Sequence, residues 1–347
     1  MNLIQKIKNQ IEKLDGESME EARKRQNRLT KPKNSLGRLE ELSIKIAGIT
    51  SNPSPNVDKK GILTFAADHG VANEGVSAYL QEVTGQMIQN FVKGGAAINV
   101  LSEQAGAELL VIDIGSKADL EESEGLKIKK VGEGTGNILK EKAMSRENAE
   151  KSIKIGINSF KNTDPDLVGI GDMGIGNTTV SSAITATITG KPPKKVTGRG
   201  TGVDEETLKR KTKTVEKALD LRDPNPNDGI EILSKIGGYE IGGMTGVILS
   251  AAANRTPVLI DGFISTAAAL IASTIEPKTK QYMIASHESG VKGHKHALEH
   301  LGLQPVLDLE MRLGEGTGSA LAMPIIETSC KILNDMLTFE EAGVSTN

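Results

Sequence analysis

Tryptophan is absent from this chain, and only five phenylalanines and three tyrosines occur among its 347 residues. With aromatics at 2%, the core has to be built from aliphatic side chains. The stacked rings that hold single-stranded nucleic acid have almost no material. Nor is there a surplus of positive charge. Forty-two basic residues face 45 acidic ones for a net charge of −3, which excludes the basic stripe that neutralises a phosphate backbone. No nucleic-acid partner is expected.

Cysteine occurs once, at Cys330. It cannot form an internal disulfide, and within the helical-looking run 325–337 it behaves as a small buried hydrophobe, which suits a reducing compartment. No run of 18 apolar residues appears, and Lys6, Lys8, Glu12 and Lys13 interrupt the N-terminal apolar residues. Neither a membrane span nor a secretory segment is expected, so the chain reads as cytoplasmic. His294, His296 and His300 fall close together, but Lys295 and Glu299 interleave with them and no cysteine is near, so no metal is assigned. The phosphate loop GxxxxGK[ST] is missing too.

What is abundant is glycine, 38 residues of it, punctuating a rhythm. Leu3, Ile4, Ile7, Ile11 and Leu14 have helical spacing, a second helix is predicted over about 19–29, and a third from a cap at Ser35 to about residue 49. Pro53 and Pro55 mark a linker. Short apolar runs then end in Gly, Asp or His: 61–67 before Asp68-His69-Gly70, 108–114 before Gly115, and 166–170 before Gly171-Asp172. The same holds for 257–260 before Asp261-Gly262, 281–285 before Ser286-His287, and 305–309 before Glu310. Alanine-rich helical stretches such as 181–189 and 265–273 separate them. Such alternation predicts an α/β fold with a mainly parallel sheet and helices on both faces. Ligands then bind beyond the carboxyl ends of the strands. Residues 58–324 are expected to form this large domain, and 1–52 with about 325–347 a small helical one.

Gly169-Ile170-Gly171-Asp172-Met173-Gly174 fits the dinucleotide fingerprint GxGxxG, yet the acidic residue expected some twenty positions on is replaced by Pro192-Pro193-Lys194-Lys195. The glycines could serve close packing instead. A single phosphate suits the stretch better, because Gly176, Asn177 and Thr178 would offer backbone N–H groups at a helix start. Glycine loops at 198–202 and 242–246 offer similar cradles. One carboxylate stands out at Leu313-Gly314-Glu315-Gly316-Thr317-Gly318, in a turn that glycines let approach a ligand closely. The pentapeptide Gly132-Glu133-Gly134-Thr135-Gly136 repeats it, but Glu133 follows lysine-rich residues 127–130, an exposed edge. Glu315 follows a strand end and is the preferred candidate.

Leu29-Thr30-Lys31-Pro32, Ser35-Leu36-Gly37-Arg38-Leu39, Ala67-Asp68-His69-Gly70-Val71, Gly75-Val76-Ser77-Ala78-Tyr79, Met173-Gly174-Ile175-Gly176-Asn177-Thr178-Thr179, Gly198-Arg199-Gly200-Thr201-Gly202 and Arg312 to Gly318 follow one another over nearly the whole chain. In that order they closely resemble the nicotinate-nucleotide:dimethylbenzimidazole phosphoribosyltransferase family of cobamide lower-ligand activation. The resemblance implies a Rossmann-like domain with a small helical one from both chain ends, and a homodimer, or a heterodimer with a paralogue in which this chain could be the supporting subunit. It implies transfer of phosphoribose from nicotinate mononucleotide to an aromatic base, with no cofactor.

By matching positions it also implies roles: Glu315 as base, Asp172 near the ribose, Ser77, Tyr79, Gln86 and Leu313 around the incoming base, and Gly174, Gly176, Asn177, Thr178, Gly202, Lys211, Ser289 and Gly290 around the phosphoribosyl group. Asp172 stands where the family usually has Glu, Leu80 where it has Pro, and Lys33-Asn34 where it has Pro-Gly. Benzimidazoles, purines and phenols are all acceptors within its compass. An NAD-binding oxidoreductase is the remote alternative.

Overall fold

The computed structural model describes residues 2–200 and 202–345. Six parallel strands form the main sheet: β1 (Lys60–Ala67), β2 (Ala107–Gly115), β3 (Leu126–Ile128), β4 (Leu167–Met173), β5 (Val258–Ile260) and β6 (Met283–Ala285). Their order is β3-β2-β1-β4-β5-β6, that of a doubly wound sheet whose direction of winding reverses between β1 and β4. β1 and β4 are buried on both faces and correspondingly apolar, as parallel strands covered by helices must be.

The helices Arg146–Thr163 and Tyr239–Ala253 pack together, and both reach β1; Phe263–Ile275 lies beside them. Ala97–Ala105 and Thr317–Asp335 pack together and reach β2 and β4 respectively. The core is aliphatic, with Phe65, Phe160, Phe263 and Tyr282 as its few large rings.

Glycine plays a different part here from that expected at 242–246. These residues lie inside the buried helix Tyr239–Ala253, not in a ligand loop. A Cβ on Gly246 would stand 2.0 Å from the Ile153 carbonyl oxygen, and one on Gly156 would stand 1.8 Å from that of Gly243. The bare positions let two helices cross backbone to backbone.

Near the N-terminus the helices are Leu3–Gln10, Gly16–Gln26 and Arg38–Thr50. Ser35 does not cap the third. Its N-cap is Gly37 at φ +51°, and the preceding turn is tied by the Leu36 N–H to Glu40 Oε1 (3.1 Å) and by a buried Lys31–Glu40 ion pair (2.7 Å). The run 305–309 supplies only β8 (Leu307–Asp308), paired with β7 (His287–Glu288) outside the main sheet. One helix, Thr317–Asp335, runs from the strand ends of the sheet to the N-terminal helices. There Leu333 packs on Ala22 and Ala47, and Arg25 donates to the carbonyls of Leu333, Asn334 and Met336.

Candidate active site

At the carboxyl edge, where β1 and β4 part, lies a cavity of about 370 Å³. Its wall is largely apolar, from Val83, Met87, Ile175, Phe263, Ile264 and Val291, with Tyr79 and Leu313 on the rim, 54% and 57% exposed. Asp172, Gly174, Asn177, Thr178, Ser289, Gly314 and Glu315 complete it.

Glu315 enters through an unusual backbone. Gly314, Glu315 and Gly316 have φ of +91°, +65° and +98°, three consecutive left-handed residues of which the middle one carries a side chain. Such a conformation persists only if its surroundings enforce it. The Glu315 N–H donates to the Asp172 carbonyl (3.2 Å), and its own carbonyl accepts from Thr64 Oγ1 (2.8 Å). Beneath it is Gly171, whose added Cβ would stand 2.2 Å from the Glu315 carbonyl oxygen. The fingerprint glycines therefore serve packing: Gly171 seats the Glu315 turn, and Gly169 faces Ser319 at 2.7 Å. Glu315 is 5% exposed, its Oε2 has no hydrogen-bond partner among the described residues, and burial pushes its pKa up. Its twin Glu133 lies exposed in a loop.

Asp172 is the last residue but one of β4. Oδ2 accepts from Asn177 Nδ2 at 2.8 Å, and Oδ1 has no partner among the described residues. Burial first, then the charges of Asp261, Glu240 and Glu315, raise its pKa well above the usual carboxylate range. Like-charge repulsion thus falls on Asp172, whereas in Glu315 burial dominates.

The helix Asn177–Thr189 starts at Gly176, φ +100°. The Asn177 N–H is not free for an anion, because the turn directs it to the Gly174 carbonyl at 3.1 Å. Positive charge comes from Lys211 on the helix Glu205–Arg222. It is 1% exposed, with Nζ donating to Thr178 Oγ1 at 2.6 Å and, among the described residues, no carboxylate partner. Burial lowers its pKa to about 8. An unpaired buried ammonium costs several kcal/mol, roughly, unless an anion joins it. The backbone at Gly200 covers this pair, and Arg312 Nη1 donates to the Gly200 carbonyl.

Glu315, Asp172, Tyr79, Leu313, Gly174, Asn177, Thr178 and Ser289 are thus brought to one cavity, with Gly176 and Lys211 directly behind. Gly202 and Gly290 line an adjoining cavity of about 420 Å³ that shares Gly200, Val291 and Arg312 with the first. Thr201, which follows Gly200 in the sequence, lies outside the described residues. Ser77 is set back, its Oγ accepting the Tyr79 N–H at 3.2 Å. Gln86 is not brought in. On the helix Val83–Val92 it lines another cavity, with Asp68 and Lys117, and not the one that Val83 and Met87 line. Arg312 and Asp261 join these residues without having been expected there, and the one sequence signal for Asp261 is its place directly after β5.

A phosphoribosyltransferase family model matches residues 11–344. The chain is 53% identical over 348 residues to the nicotinate-nucleotide–dimethylbenzimidazole phosphoribosyltransferase of Chloroflexus aggregans, covering 99% of each. It is 48% identical to the enzyme of that name from Geobacter sp. strain M21, over the whole of both chains. The crystal structure of the Thermus thermophilus enzyme of that name superposes with a TM-score of 0.92 at 41% identity, covering 96% of this chain and all of that one.

Proposed function

Since this chain belongs to the nicotinate-nucleotide–dimethylbenzimidazole phosphoribosyltransferase family and is a phosphoribosyl-transferring enzyme, we propose that it moves phosphoribose from nicotinate mononucleotide to a benzimidazole, giving an α-ribotide 5′-phosphate and nicotinate. The observation that carries this is a carboxylate at an apolar cavity and an ammonium directly behind it, both buried, the first with an oxygen and the second with its charge unpartnered among the described residues. The first suits a proton acceptor and the second a phosphate.

The chemistry needs one proton acceptor and no acid. The glycosidic bond from ribose C1′ to the pyridinium nitrogen breaks, and its electron pair returns to the ring, so nicotinate leaves as a neutral pyridine. One benzimidazole nitrogen supplies the lone pair for the new C1′–N bond, and Glu315 takes the proton from the other nitrogen. Attack from the face opposite the leaving group turns a β-linked donor into an α-linked product. A flat base fits between Tyr79 and Leu313 at the rim and the apolar wall.

Asp172, beside Gly314, would sit near the ribose, where its charge offsets oxocarbenium character. A pyridinium arriving next to it draws its raised pKa back down. Lys211 with Thr178 and Gly176 would take the phosphate, joined by Ser289 and, from the adjoining cavity, Gly290 and Gly202. A homodimer is the assembly we expect.

The test is product mass. Purified protein, supplied with nicotinate mononucleotide and 5,6-dimethylbenzimidazole, should release nicotinate and form the ribotide. Adenine and a phenol in parallel reactions identify the acceptor. No nicotinate release with any base, unless a second chain is added, would replace this proposal with that of a supporting subunit.

A further inference from the structure

Every hydrogen bond that holds the Glu315 turn from below comes from backbone or from Thr64, but its C-terminal side depends on a residue from another strand. The helix Thr317–Asp335 begins at Gly316, which has no side chain to satisfy the first N–H groups of the helix. Asp261, one residue beyond β5, does this from across the fold. Its Oδ2 accepts from the Gly316 N–H at 3.1 Å, and its Oδ1 from the Gly318 and Ser319 N–H groups at 2.7 and 3.3 Å.

The side chain is completely buried. His287 closes the remaining side, with Nδ1 at 3.7 Å from Asp261 Oδ1. A Cβ on Gly318 would lie 2.0 Å from that same imidazole nitrogen, so helix, histidine and carboxylate are in direct contact.

We infer that Asp261 is a positioning residue for the proton acceptor: its carboxylate clamps the helix start and so fixes the left-handed backbone from which Glu315 reaches the cavity. Two features separate this from ordinary capping. The clamped N–H of Gly316 belongs to the residue immediately after Glu315. The other bonds on that side, from Thr317 Oγ1 (2.8 Å) and the Thr317 N–H (3.0 Å) to the Gly314 carbonyl, close the turn on itself, whereas those to Asp261 tie it to another strand. Loss of the clamp would let the strained φ angles relax, moving the Glu315 carboxylate while leaving Lys211 and Thr178, on other helices, in place. The inference rests on Glu315 acting as the base.

Asp261→Asn keeps one acceptor oxygen but turns an N–H₂ toward backbone N–H groups, and Asp261→Ala removes all three bonds. A misplacement of about an ångström slows such reactions roughly a hundredfold. Asp261→Ala should therefore lower kcat about that much and Asp261→Asn by less, with the KM for nicotinate mononucleotide within about threefold of the wild type. If the alanine variant fails to fold, the asparagine variant carries the test, its integrity checked by thermal unfolding.

The deciding measurement is a double-mutant cycle with Glu315→Gln. If Asp261 acts through Glu315, adding Asp261→Asn to Glu315→Gln costs no further activity. Full multiplicative loss in the double variant, or an unchanged kcat in Asp261→Asn, overturns the inference. Wild-type activity in Glu315→Gln alone would instead overturn the assignment of the base.

Discussion

Gly171→Ala is the sharpest perturbation that the structure offers, because it adds one methyl group and touches no reactive atom. The new Cβ would stand 2.2 Å from the Glu315 carbonyl oxygen, 2.3 Å from its carbon and 2.5 Å from the Gly316 nitrogen. Ordinary contact begins near 3.4 Å, so the turn must lift off β4 by about 1.2 Å. These atoms are backbone, tied to Thr64 and Asp172, and cannot swing aside like the end of a flexible side chain. Overpacking of this kind destabilises by about 1–3 kcal/mol. A shift near one ångström at a catalytic group costs on the order of a hundredfold in rate.

Steady-state kinetics should therefore show kcat reduced about a hundredfold, with little change in the KM for nicotinate mononucleotide, and melting lowered by several degrees. Gly169→Ala is the control. Its Cβ meets the Ser319 side chain at 2.7 Å, inside the following helix, so it should lose similar stability but much less activity. Equal kinetic loss in both variants, or undiminished kcat in Gly171→Ala, would refute the idea that this seat sets the position of Glu315.

Glu315→Gln is expected to lower kcat by roughly two to four orders of magnitude, the range for a general base, while Glu133→Gln on the exposed loop stays near wild type. Because burial raises the Glu315 pKa and the base works ionised, kcat/KM should fall as pH drops through a value above that of a free glutamate. A pH–rate profile checks this. A carboxyl whose folded pKa is raised contributes its full stability below the unfolded value and loses it as pH rises through the folded one. Asp172→Asn should therefore melt higher than wild type at pH 8, with the gain shrinking toward pH 4. Inorganic phosphate should raise the melting temperature of the wild type but not of Lys211→Met. The protection should weaken above about pH 8, where Lys211 loses its proton; equal protection of both proteins would remove Lys211 from the phosphate site.

The sheet could be read from the chain because each buried strand is a short apolar run stopped by a polar residue, as at Asp68, Asp172 and Asp261. β3 is not legible in the sequence because Leu126-Lys127-Ile128 is too short to carry a pattern. The sequence of the helix Tyr239–Ala253 reads as a loop around residues 242–246, since glycine signals both a turn and a close helix crossing, and only the neighbouring backbone distinguishes them. The preference for Glu315 over Glu133 rested on strand context, and the two do differ in burial. Asn177 illustrates the opposite: a helix start suggests free N–H groups, but whether the turn uses them depends on the φ of Gly176. Asp261 could not have been linked to Glu315, because its partners lie more than fifty residues further along and no local pattern records such a bond.

The long helix that begins beside Glu315 also sets an order of assembly. Every strand of the main sheet, and Asn177 and Lys211 with it, precedes residue 286, whereas the Glu315 turn and its helix occupy 314–335. A ribosome therefore releases the sheet with the glycine stripe of β4 still bare and its groove unfilled. The last stretch of polypeptide then closes the groove and delivers the carboxylate in the same movement. Glu315 thus joins a cavity whose other charged groups, Asp172 and Lys211, are synthesised more than a hundred residues earlier.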